Sequence, residues 1–197
     1  LKTSPHYITP AELYRDAFTL AHQIYMSGFK PDFIMALWRG GTPVGIIVQE
    51  YLAYRSCPSD HIAVRTSSYH GDQSLPSIRI HGLDYIVDHI NSHQKLLIVD
   101  DVFDTGRTLE ALLQNLQART RSNCPGDIRL ATPWYKPKKN LTQLKPHYYL
   151  RETQEWLVFP HELQGLSKEQ IMQFKDPAIT PLLEENLSHP FPNTACN

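Results

Sequence analysis

The chain has 197 residues, with 19 Lys and Arg against 20 Asp and Glu, giving a net charge of −1. Such a balance excludes a general binder of nucleic acid or anionic membrane, which is visibly basic. No apolar run reaches membrane-spanning length, and the start lacks the basic-then-apolar order of a signal peptide. In chain order, Thr9-Pro10-Ala11-Glu12 opens the first helix: Thr9 caps it, Pro10 suits the first helical position, and Glu12 reaches back in a capping box. Leu13, Ala17, Leu20, Ala21 and Ile24 form its apolar face, and Gly28 ends it. Phe33–Leu37 reads as a strand, Thr42-Pro43 starts a helix to about Tyr54, and Ile62–Thr66 is a second strand. Thr66–Gly82 reads as a polar loop longer than an ordinary connection. A helix over Leu83–Ile90, a strand over Leu96–Asp100 and a helix over Leu109–Arg119 follow. Ile128–Trp134, Tyr148–Leu150 and Trp156–Phe159 read as short strands, and Ser167-Lys168-Glu169-Gln170 is a second capping box. This alternation predicts an α/β fold with a mostly parallel sheet flanked by helices. The proline-rich stretch Asp176–Asn197 reads as a tail after a single domain over 1–175.

Cys57, Cys124 and Cys196 are widely spaced without a CxxC pair, so reduced thiols in a cytoplasmic protein are expected. The ten histidines show no metal spacing such as HExxH, and His22 and His89 are expected on helix surfaces.

The chemistry concentrates after one strand. Leu96–Val99 is a short apolar run, as expected of a strand buried on both faces, and it ends in Asp100 and Asp101. Asp104-Thr105-Gly106-Arg107-Thr108 then leads into a helical pattern. In open α/β sheets ligands bind beyond the carboxyl ends of strands. A helix N-terminus offers free N–H groups and partial positive charge to a phosphate, while adjacent carboxylates suit sugar hydroxyls or a hard cation. The segment describes a grip on a sugar phosphate. An ordinary strand–turn–helix explains one Asp and one Thr, not two acids, Gly106 and two threonines together. A second fragment, Trp38-Arg39-Gly40-Gly41, also follows a strand and precedes a helix. Its glycines permit close backbone approach, and Arg39 offers a fork of donors to phosphate oxygens.

Residues 96–109 closely resemble the 5-phosphoribosyl 1-pyrophosphate (PRPP) signature of type I phosphoribosyltransferases, and the resemblance extends over roughly Phe33 to Leu163. It implies the fold of that family, with a small hood or C-terminal region. It implies that Asp100 and Asp101 hold the ribose hydroxyls, with Asp101 near a magnesium ion, and that Asp104 and Thr105 to Thr108 (through Gly106 and Arg107) surround the 5′-phosphate. Arg39, Gly40 and Gly41 match the pyrophosphate loop. Ser67, Ser68 and Tyr69 match the start of the family's mobile catalytic loop, a passive surface excursion being the alternative. In particular the chain resembles the xanthine–guanine and hypoxanthine members. Asp104 matches the acid that accepts the N7 proton, with helix capping as its plain alternative. Lys136 matches the lysine directed at purine O6, whereas Lys138 and Lys139 read as solvated charges. Trp156 and Leu157 match the segment that stacks on the base and reads its 2-position, set against a buried core tryptophan. Two departures stand out: Arg107 replaces the usual glycine or lysine, and His161 stands where tryptophan is common, at the edge of the purine pocket.

The resemblance implies a magnesium-dependent enzyme joining hypoxanthine, guanine or xanthine to PRPP, commonly as a dimer or tetramer. The alternatives are a nucleotide-sensing regulator on the same fold and a transferase for another nucleobase. If Glu162 points inward, it disfavours ionised xanthine.

Overall fold

The computed structural model describes residues 5–69 and 77–184. Its strands are β1 (His6–Tyr7), β2 (Phe33–Trp38), β3 (Asp60–Tyr69), β4 (Ser77–His81), β5 (Lys95–Val99), β6 (Val102–Phe103), β7 (Asp127–Tyr135), β8 (Tyr148–Glu152) and β9 (Leu157–Val158). The helices are α1 (Pro10–Met26), α2 (Gly41–Tyr54), α3 (Asp84–His89), α4 (Arg107–Thr120), α5 (Lys168–Phe174) and α6 (Thr180–Glu184). None of the described helices is long and apolar enough to cross a membrane.

Side chains alternate across a strand, and this divides the core. Ile34, Leu97 and Val99 face α1 and α2, where they meet Leu20, Ile24, Val44 and Val48. Phe33, Met35, Leu37, Leu96 and Ile98 face the other way, against Ile86 of α3 and Leu109, Leu112 and Leu116 of α4. Truncating one such buried side chain to alanine costs about 2–5 kcal/mol. The seven-stranded sheet runs β4-β3-β2-β5-β7, with β6 and β8 both paired to β7. Every pairing is parallel except β3 with β4. Because β8 occupies the opposite edge of β7, β6 continues the line of β5 beyond Asp100 and Asp101.

The expected helices and central strands are present, with differences of physical origin. Thr9 caps α1 by accepting from the Glu12 amide, but the Glu12 carboxylate lies near His6 rather than completing a box. The Ser167 box is complete. The polar stretch after Thr66 is not a loop throughout: β3 runs on through Ser67, Ser68 and Tyr69, and Ser77–His81 returns antiparallel to it. The Ile78 and Ile80 alternation is a strand pattern. Within the expected tail, α6 forms at Thr180–Glu184, while Cys196 lies outside the described residues. Trp156–Phe159 contributes only the two residues of β9, which leave the main sheet and pair with β1. On this small second sheet the Tyr7 ring stacks on Phe174 at 3.8 Å, and Gln170 donates to the Tyr7 hydroxyl at 2.9 Å.

Candidate active site

The chain leaves β2 through α2 toward β3 on one side, and leaves β5 through α4 toward β7 on the other. The adjacent carboxyl ends of β2 and β5 therefore form the point where the winding reverses, the place where an α/β sheet opens a crevice for ligands. Both sequence fragments arrive there. The contact is tight: a Cβ built on Gly40 would lie 1.8 Å from Asp101 Oδ2, and one on Gly41 would lie 2.5 Å from the Val99 carbonyl oxygen. Only glycine lets these backbones meet. The Trp38–Arg39 peptide that leads into this loop is cis.

Asp100 and Asp101 are half-buried side by side, and the Asp101 amide donates to Asp100 Oδ1 at 3.0 Å. Burial, reinforced by the charge of Asp101, pushes the Asp100 carboxyl well above the usual carboxylate range. Burial likewise pushes Asp101 up to about 6. Two crowded carboxylates of this kind are relieved by a hard cation, which takes oxygen ligands. The donor set fits magnesium, which binds through one or two carboxylates plus substrate phosphates. Among the described residues no group of three His, Cys, Asp or Glu forms a complete protein cage.

Gly106 stands at the head of α4 with φ 77°, a left-handed conformation natural to glycine. The turn is backed by a loop that the sequence pattern did not mark: the Leu141 amide donates to the Thr105 carbonyl at 2.9 Å, and Thr142 Oγ1 lies 2.5 Å from where a Gly106 Cβ would stand. Asn140 holds that loop by accepting from the Thr142 amide and hydroxyl. Arg107 and Thr108, expected before the helix, form its first turn, with the Arg107 side chain exposed.

Asp104 does not cap α4. Its Oδ2 instead accepts from Lys136 Nζ at 3.0 Å, and its Oδ1 is buried with no partner among the described residues. Lys136, only 3% exposed, reaches this position from the end of β7, where its amide donates to the Phe103 carbonyl of β6. Lys139, read from sequence as a solvated charge, also approaches Asp104 Oδ2, at 3.8 Å.

Trp156 and Leu157 stand apart from this pair in chemistry. Trp156 is 52% exposed, so it is not a core tryptophan, while the Leu157 side chain packs in the core. The carbonyls of Trp156 and Val158 accept from His6 and Ile8. Beyond them, His161 Nε2 lies 3.9 Å from Asp101 Oδ2, beside the acid pair. Glu162 folds back so that its Oε2 accepts from the Phe159 amide at 3.0 Å. The Lys175 ammonium donates to the Phe159 carbonyl at 2.7 Å and fixes the same segment from behind. No local pattern announces Lys175; its role depends on how α5 closes over the chain.

Residues 9–166 match the family model described as the phosphoribosyl transferase domain. The chain is 29% identical over 120 residues to a hypoxanthine-guanine phosphoribosyltransferase of Lactococcus lactis, covering 60% of each protein. It is 28% identical over 150 residues to the human phosphoribosyltransferase domain-containing protein 1, covering 73% of this chain and 63% of that one. The match therefore spans less than two thirds of the length of these curated relatives. A solved purine phosphoribosyltransferase of Pyrococcus horikoshii superposes with TM-score 0.63 at 28% identity, over 83% of this chain and 97% of that one. With the family model covering most of its length and the acid pair, glycine loop and helix head converging as they do, this chain is a member of the phosphoribosyltransferase domain family.

Proposed function

We propose that the protein transfers the 5-phosphoribosyl group of PRPP to N9 of a 6-oxopurine, releasing pyrophosphate, as a purine-salvage enzyme of the cytoplasm. The observation that carries this reading is the Asp104–Lys136 pair with its orphaned Asp104 Oδ1. The N7–H and O6 of a 6-oxopurine lie on one edge, as a donor beside an acceptor. A carboxylate beside an ammonium is their complement. Adenine offers an amine to the ammonium, donor against donor. The name of the Lactococcus relative supports the same choice, and that of the Pyrococcus one supports a purine.

In the reaction Asp100 and Asp101 orient the ribose, and Thr105, Gly106, Arg107 and Thr108 hold its 5′-phosphate at the head of α4. Arg39, with Gly40 and Gly41, takes up negative charge on the departing pyrophosphate, an interaction strongest in the transition state. Asp101 would hold magnesium, which when bound neutralises phosphate charge. Asp104 accepts the N7 proton as N9 bonds to the sugar, Lys136 donates to O6, and Trp156 supplies a ring for the base to stack on, with the backbone about Leu157 beside the 2-position.

Pyrophosphate release from PRPP and magnesium, measured with each nucleobase in turn, tests the reading. Release with hypoxanthine, guanine or xanthine and not with adenine, uracil or orotate supports it. Release with none of them overturns it in favour of a nucleotide-sensing regulator.

A further inference from the structure

The His161 ring has one unpartnered buried face of its chemistry and one that looks into the site. Its Nδ1 is buried without a partner among the described residues, while Nε2 points toward Asp101 Oδ2 across 3.9 Å. A buried N–H left unpaired costs more than a bare ring nitrogen that merely lacks a donor. The proton therefore belongs on Nε2. The ring stacks on Phe159 at 5.7 Å and 15°, and Lys175 anchors the carbonyls of Phe159 and Pro160 just before it.

A gap of 3.9 Å is too long for a direct hydrogen bond. It has the span for one oxygen set off the line at about 2.8 Å from each atom. That oxygen must accept from Nε2–H and donate to a carboxylate, as a sugar hydroxyl or the water it displaces does, and as neither an ionised phosphate oxygen nor a metal ion does. We propose that His161 is a sugar-binding residue, its Nε2–H and Asp101 Oδ2 together gripping one ring hydroxyl of the phosphorylated ribose. This rests on the phosphoribosyltransferase reading and adds to it a residue from the chain segment beyond β9. It also moves His161 from the edge of the purine pocket to the sugar.

The test compares the wild-type protein with His161→Phe, which keeps the stack on Phe159 and removes the ring nitrogens, and with His161→Gln, which keeps an N–H donor. Binding of PRPP with magnesium is measured by calorimetry, then binding of ribose 5-phosphate against its 2-deoxy and 3-deoxy analogues. We expect His161→Phe to bind PRPP about tenfold more weakly, the value of one hydrogen bond to a charged network, with the KM for the base within about twofold. His161→Gln regains part of that loss. Loss of one particular hydroxyl weakens the wild type and leaves His161→Phe nearly indifferent. Equal PRPP binding by wild type and His161→Phe, or equal discrimination among the sugars, overturns the role of His161 alone. Failure of the wild type to bind PRPP overturns the transferase reading and this assignment with it. The deoxy-sugar series on the wild type stands even if a variant misfolds: indifference to both hydroxyls overturns the proposal.

Discussion

Asp104 Oδ2 and Lys136 Nζ are bonded to one another, so each substitution exposes the other partner. Asp104→Asn keeps the size of the side chain and still accepts from Lys136, but it no longer takes a proton. Turnover should fall about 10²–10⁴-fold, the usual worth of a general base, with PRPP binding within a few-fold of the parent. Steady-state kinetics beside a PRPP titration decide this, and turnover within a few-fold of wild type rejects the role. Lys136→Ala should raise the KM for 6-oxopurines and leave PRPP binding alone, a loss of about 1–3 kcal/mol or more because a charge is involved. A variant that uses these bases as well as the parent would refute the O6 assignment. The acid pair makes the opposite kind of prediction. Burial raises the Asp100 carboxyl, so its contribution to stability is present below the ordinary carboxylate pKa and is lost as pH rises through the raised value. Asp100→Asn should therefore melt at a higher temperature than wild type at pH 7.5 without magnesium or PRPP, the gain shrinking toward pH 4, while PRPP binding is lost. A lower melting temperature at both pH values contradicts the burial argument.

At the level of the element, α2 is pressed onto β2 by Gly45, whose added Cβ would stand 2.6 Å from the Ala36 Cβ. Gly45→Ala must push the helix off the sheet, and overpacking of this kind costs about 1–3 kcal/mol. Since α2 begins at Gly41, the shift also displaces the Arg39–Gly41 loop. Urea unfolding should report the lost stability, and the KM for PRPP should rise; an unchanged midpoint would show that the contact is slack. The elements that support the loops were those easiest to read from sequence. β2 and β5 are apolar runs because both faces are covered, and α1 announces itself by a capped, periodic face. What escaped were elements set by their neighbours. β6 has two residues and exists because β7 continues past the acid pair, and β1 exists only as the partner of β9. The hairpin of β3 and β4 alternates Arg65, Ser67, Arg79 and His81 on one face with Val64, Thr66 and Ile80 on the other, and its many polar residues read as loop. In the site, the proposed phosphate grip stands out in the sequence because its residues are contiguous. The Asp104–Lys136 bond joins residues 32 apart, and His161 meets Asp101 across a still longer stretch, so neither contact has a local signal.

Across the whole molecule, ionisable groups beside different strands of the sheet pull stability in opposite directions with pH. His147 immediately precedes β8, and its Nδ1 accepts from the Leu130 amide of β7 at 3.1 Å. Burial, then the nearby Arg129 charge, lowers its pKa. A histidine depressed in the folded state contributes stability that is fully present above its unfolded value of about 6.5 and is lost as pH falls through the folded value. The acid pair works in reverse: Asp101, raised to about 6, withdraws stability as pH climbs through that range. The two trends oppose each other, so the unliganded wild type should show a shallower melting profile between pH 5 and 7 than a variant that keeps only one of them. Removing one side should uncover the other. His147→Gln, which retains an acceptor for the Leu130 amide without titrating, should melt at temperatures that fall steadily as pH rises from 5 to 7. Asp100→Asn should show the reverse slope, because the histidine then acts against fewer carboxylates. Melting curves at half-unit pH steps on the three proteins separate these profiles, and parallel curves for all three would show that neither site governs the pH response.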